Sequence, residues 1–160
     1  MADGNNISRV TEIIGSEPAR RFVVVSAPGK RYSDDTKVTD LLYACYQECV
    51  EKGSCADTFQ KIRRRFHSIV SELGMETFDI ESILNETERA IEENKSADFT
   101  ASRGEYLNAR IVAAKLGWAF VDAKDIIFFD KNGRFDESRS YPLSDKTLSA
   151  AGCAVVPGFY

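Results

Sequence analysis

The segment Ala101-Ser102-Arg103-Gly104-Glu105-Tyr106-Leu107-Asn108 sets a cation, a glycine and a carboxylate side by side as it runs into a helical pattern. A carboxylate so placed can accept hydrogen bonds from a ligand ammonium. Free backbone N–H groups at a helix start can meet an anion. The same letters also read as an ordinary helix start, with Ser102 as cap and Glu105 closing a Ser-x-x-Glu capping box; on local physics alone this is the stronger reading. Two further places can do chemistry. Ser26-Ala27-Pro28-Gly29-Lys30 follows an apolar run. Its small residues let the backbone approach a substrate at the C-terminal end of a strand, and a plain strand-to-helix turn has the same composition. The Gly-x4-Gly-Lys-Ser/Thr spacing of a phosphate-binding P-loop is absent. In Lys37-Val38-Thr39-Asp40-Leu41-Leu42, Thr39 puts a hydroxyl in the first turn of a helix, where such residues ordinarily cap.

Other reactive side chains form no recognisable set. His67 is the only histidine and lies in a helical pattern among basic residues, and Cys153 stands beside a strand, so nucleophilic catalysis has little support. Asp122, Asp125 and Asp130 flank strands at a spacing unlike a calcium loop. Cys45, Cys49, Cys55 and Cys153 form no Cys-x-x-Cys pair and lack histidine partners. They read as reduced thiols of a cytoplasmic protein, with no metal site.

A chain of 160 residues makes one domain or most of one. With 43% hydrophobic and 29% charged residues it has an ordinary globular composition, and a net charge of −4 argues against a nucleic-acid partner. The one basic run, Lys61-Ile62-Arg63-Arg64-Arg65, sits in a helical pattern and reads as a solvated face. No leader and no apolar run of membrane-spanning length is present, so no membrane partner is expected.

Hydrophobic periodicity supplies the elements that position these residues. Helices are expected over 5–15, 36–50, 56–73, 80–94, 105–116 and 143–151. Strands are expected at 22–25, 119–122, 126–129 and 154–156, the first buried on both faces. Asn132-Gly133 signals a hairpin turn. The order is α-β-α-α-α-α-β-β-α-β, an α/β sheet with helices on its faces and a helical block over 36–94.

Four pieces in this order, "RRFVVVSAPGKR", "KVTDLLY", "ASRGEYLNARIVAAKLGWAFVDAKDIIFFD" and "AVVPGFY", resemble aspartate kinases of the amino acid kinase family, in a clostridial-type form. The resemblance covers about Asn5 to Tyr160. It implies an αβα sandwich around a mainly parallel sheet, with residues 36–94 as an inserted helical subregion. The implied reaction is transfer of the ATP γ-phosphoryl, with Mg²⁺ on the phosphates, to the β-carboxylate of L-aspartate, the first step toward lysine, threonine and methionine. Residue by residue, Glu105 and Thr39 match positions that contact the substrate aspartate. Arg103 and Gly104 share the Glu105 motif, Ser26, Ala27 and Gly29 match an active-site loop, and Gly158 matches a loop on the nucleotide side. The family's Lys-Phe-Gly-Gly-Ser-Ser and Ser-Arg-Gly-Gly-Ser-Asp segments, its later nucleotide-binding segment and its ACT domains have no counterpart in these residues. The expectation is therefore an incomplete catalytic domain without a catalytic residue of its own, inactive alone, with no tightly held ATP or Mg²⁺ and an open sheet edge that invites self-association. The alternative is a non-catalytic amino-acid-binding or interaction module derived from the same fold.

Overall fold

Helix starts are marked by short polar side chains that accept from backbone N–H groups otherwise left without partners. Asp3 caps α1 (Gly4–Gly15), accepting from Asn6 N at 2.8 Å. Asp79 caps α4 (Ile80–Asn94), Ser96 caps α5 (Ala97–Leu116) and Asp136 caps α6 (Glu137–Ala151). A computed structural model describes all 160 residues, Met1–Tyr160. Its remaining elements are β1 (Phe22–Val25), α2 (Val38–Lys52), α3 (Ala56–Glu72), β2 (Ala119–Phe120), a 3₁₀ turn (Ala123–Asp125) and β3 (Ala154–Pro157).

The strands form one parallel sheet in the order β1-β3-β2, with Val23 opposite Val155 and Ala119 opposite Ala154. The central strand is buried on both faces. Val155 joins the main core beneath α5, while Ala154 and Val156 join a small second cluster with Val121, Ala123 and Ile126, against which Leu148 of α6 packs. This is an α/β sandwich, thick on the α5 side and thin on the α6 side. The edge strand β1 departs from the expectation of two buried faces: Val25 is buried, but Phe22 and Val24 are 43% and 70% exposed. That face of β1 is largely open to solvent.

The main core fills the space between α5, α2 and α3. Phe59, Ile62, Phe66 and Ile69 of α3 and Ile83, Leu84, Thr87 and Ile91 of α4 point inward, as their spacing requires. Helix α5 is buried almost all round, from Thr100 through Ala113, and is the central helix of the fold.

Four further expectations change. Helix α5 begins at Ala97, so Ser102 is buried inside it rather than capping it; its Oγ donates to the Phe99 carbonyl at 2.7 Å. Residues 126–129 form no regular strand. Asp122 accepts from Lys124 N and opens the 3₁₀ turn instead, and only Phe129 bridges to Phe135 across the Asn132-Gly133 turn. Helix α6 starts at Glu137 rather than 143: Asp136 caps it by accepting from Arg139 N, and Pro142 is accommodated in its second turn.

The fourth change concerns the basic run. Lys61 and Arg64 are exposed, but Arg65 is buried. Arg65 donates to Asp35 Oδ2 (2.5 Å), to the Gly29 carbonyl (2.5 Å) and to the Ala2 carbonyl (2.8 Å). Arg31 grips the same Asp35 through Nε and Nη2, both at 2.8 Å. Together these bonds tie the loop after β1 to α3. Gly104 of α5 meets that loop from the other side: a methyl group there would stand 2.7 Å from Ala27 Cβ and 3.2 Å from Leu42 Cδ1.

Two predictions follow from this packing. Alanine at Gly104 would gain about 1 kcal/mol of helix propensity but force an overpacked contact costing about 1–3 kcal/mol. Gly104→Ala is therefore expected to lower stability in chemical denaturation, and an increase would contradict the contact. Arg31 first, then Arg65, hold the Asp35 carboxyl far below the usual carboxylate range, against the opposing effect of burial. In the unfolded chain it titrates near about 3.9. Its contribution is thus complete above about pH 5 and is lost as pH falls through the acid range. Asp35→Asn should flatten the fall in thermal midpoint below about pH 5, measured by circular dichroism; an unchanged slope would contradict it.

Candidate substrate-binding site

The C-terminal ends of β1 and β3 lie side by side, with Val25 opposite Pro157. Gly158 follows β3 and donates its N–H to the Val25 carbonyl at 2.9 Å. A side chain at Gly158 would crowd that carbonyl at 3.0 Å, so the two chain segments can approach only with glycine there. Ser26, Ala27 and Gly29 then leave β1 and pass over Gly104, and Val38 N donates to the Pro28 carbonyl at 3.3 Å. Thr39 sits in the first turn of α2, partly buried.

Helix α5 brings Glu105 and Asn108 to this place, one turn apart on the same face. Asn108 is fully buried and donates its Nδ2 to the Ser26 carbonyl at 2.7 Å. Its Oδ1 has no partner, and neither does the buried Oε2 of Glu105. Two buried acceptors without donors are costly, about 1–3 kcal/mol each. Both belong to residues of one helical turn, next to a strand end. A ligand with several N–H donors, such as an ammonium group, has the chemistry to satisfy both.

Ser26, Ala27, Gly29, Gly104, Glu105 and Gly158 are thus gathered around one strand end. Arg103 is placed elsewhere. Two residues from Glu105, it faces away on the helix and makes no ion pair with it. Its guanidinium lies between the Phe99 and Tyr106 rings, 4.2 and 4.8 Å from their centroids, and bonds to Ser102 Oγ at 2.8 Å. Burial pulls it below the ordinary arginine range, partly offset by Asp122. It packs between two aromatic rings of its own helix. Asn108 was not singled out from the sequence, although it closes the same motif; its i, i+3 spacing from Glu105 is the signal that would have found it. The strand end gathers no set of carboxylates.

No family model matches the chain. Among curated proteins, aspartokinase 3 of Bacillus subtilis (strain 168) is 33% identical over 173 aligned positions, covering all of this chain and 38% of the relative. Among solved structures, the aspartate kinase of Clostridium acetobutylicum superposes with a TM-score of 0.94 at 43% identity, over 99% of this chain and 36% of that one. Escherichia coli aspartokinase III, solved in complex with aspartate and ADP, shares the fold with a TM-score of 0.72 at 19% identity, over 98% of this chain and 38% of that one. This chain spans a little over a third of the length of these relatives. In sequence and in fold, along its whole length, the chain is similar to part of the aspartate kinases.

Proposed function

We propose that these residues supply the amino-acid half of an aspartate kinase active site, in an enzyme that phosphorylates L-aspartate with ATP on the route to lysine, threonine and methionine. The observation that carries the reading is the pair of unpartnered buried acceptors, Glu105 Oε2 and Asn108 Oδ1. The substrate ammonium would donate to both. Glu105 supplies charge as well as a hydrogen bond, and Asn108, pinned to the Ser26 carbonyl, fixes the direction of approach. Thr39 would lie at the side of the pocket, where its hydroxyl can meet the substrate. Ser26, Ala27 and Gly29 would form the wall through which backbone reaches the ligand. Gly158 would keep the nucleotide side open. Residues 36–94 serve as the helical subregion that holds this wall in place.

Phosphoryl transfer needs cations placed against the developing charge on the transferred group. These 160 residues contain no Lys-Phe-Gly-Gly-Ser-Ser segment, and the strand end presents neither a lysine motif nor a carboxylate cluster. The chain alone is therefore read as binding without turnover. Four free thiols, three of them buried, support a cytoplasmic setting. No helix is long and apolar enough to cross a membrane.

In calorimetric titration L-aspartate is expected to bind this chain. Glu105→Gln should weaken binding by about ten- to a hundredfold, the size of a lost charge-assisted hydrogen bond, and Asn108→Ala should weaken it by about tenfold. Equal affinity in Glu105→Gln would overturn the assignment. A coupled ADP-release assay with aspartate and ATP should show no turnover above background by the 160 residues alone; steady turnover would show that they hold a complete phosphoryl-transfer site.

A further inference from the structure

A second group of reactive side chains lies away from this site, where α2, the α2–α3 turn and α4 meet. Cys49 is on α2, Cys55 is the residue before α3 and Glu92 is near the end of α4. The two sulfur atoms and a Glu92 carboxylate oxygen all lie within 4.8 Å of one another. Cys49 and Cys55 are buried, at 2% and 0% exposure, while Glu92 is only partly buried and leaves a way in from solvent. Cys45, fully buried, stands one turn before Cys49 on the same face of α2.

The carboxylate is held in place. Glu92 Oε1 accepts from Ser54 Oγ at 2.6 Å and from Cys55 N at 3.2 Å, whereas Oε2 receives no protein donor. Oriented ligands of this kind, fixed by bonds to the neighbouring chain, are a feature of built metal sites. Around a tetrahedral zinc with Zn–S of about 2.3 Å, ligand atoms stand about 3.8 Å apart, a spacing within reach of small side-chain rotations from the observed one. Sulfur donors select against Mg²⁺ and Ca²⁺ and favour a soft or borderline ion.

We propose that Cys49, Cys55 and Glu92 form a binding site for a thiophilic divalent cation of the zinc class, with Cys45 as the neighbouring fourth donor. On binding, each coordinating thiol gives its proton to solvent and the resulting thiolate bonds to the ion; no electron is transferred. The ion would add a cross-link between α2, the start of α3 and α4, beside the existing Thr58 N–Glu48, Cys55 N–Glu92 and Arg63–Glu88 bonds. Burial, and for Cys55 chiefly the adjacent Cys45 thiol, push both thiols up, Cys49 to about 12, so they stand protonated until a cation displaces the protons.

The test is a Cd²⁺ titration of the reduced 160-residue chain, followed by the ultraviolet thiolate-to-cadmium charge-transfer band, with Zn²⁺ competition. The expected result is a band saturating at one ion per chain and displaced by Zn²⁺. Cys49→Ser and Cys55→Ser should each remove it, Glu92→Gln should weaken binding at least about tenfold, and Cys153→Ser should leave it unchanged. The wild-type titration needs no variant, and Glu92→Gln alters a side chain that is not in the core, so the assignment stays testable if a cysteine variant does not fold. No band, a band lost with Cys153→Ser, or affinity unaffected by Glu92→Gln would each overturn the proposal.

Discussion

The close approach of α5 to the loop after β1 is the constraint on which the rest depends. Gly104 has no side chain, so Ala27 can rest against the helix backbone, and Asn108 one turn later can reach the Ser26 carbonyl. From the opposite side Arg65 and Arg31 hold the same loop through Asp35 and Gly29. The loop is thus clamped between a central helix and a buried ion network. Clamping of this kind keeps polar atoms at fixed positions without neighbours. Glu105 Oε2 and Asn108 Oδ1 stay unpartnered because the backbone that frames them cannot collapse onto them.

Much of the fold was legible because it follows from hydrophobic spacing. The stripes of α3 and α4 point inward as their periodicity demands, and β1 and β3 fall where short apolar runs stood between turn residues. The misreadings have particular physical causes. A four-residue apolar run does not say how many of its faces are covered, and for β1 only one is. Ser102 and Glu105 match a capping box in letters, but Ser96 is an equally good cap and lies earlier, so the helix nucleates there. Arg65 was taken for part of a solvated run because charge runs usually are; its position on the inner face of α3, four residues after Lys61 and beside Phe66, becomes decisive only once Asp35 is seen opposite.

The site was legible in part. The motif around Glu105 lies on the same turn of α5 as the buried Asn108, and the small residues after β1, read as a place of close approach, do rest against Gly104 through Ala27. Arg103 is drawn off by the helical period: two residues of spacing turn it through more than half a circle, toward Phe99 and Tyr106. Asn108 was hidden because an amide carries no charge signal. The Cys49–Cys55–Glu92 group was hidden for a different reason: Glu92 lies 37 residues beyond Cys55, and only the packing of α4 brings them together.

The most direct test of the central claim is a crystal structure of this chain with L-aspartate bound. The account predicts the ligand ammonium about 3 Å from both Glu105 Oε2 and Asn108 Oδ1, beside the Ser26 carbonyl at the end of β1. Aspartate bound elsewhere, or bound at the strand end with its carboxylates rather than its ammonium toward Glu105, would contradict it.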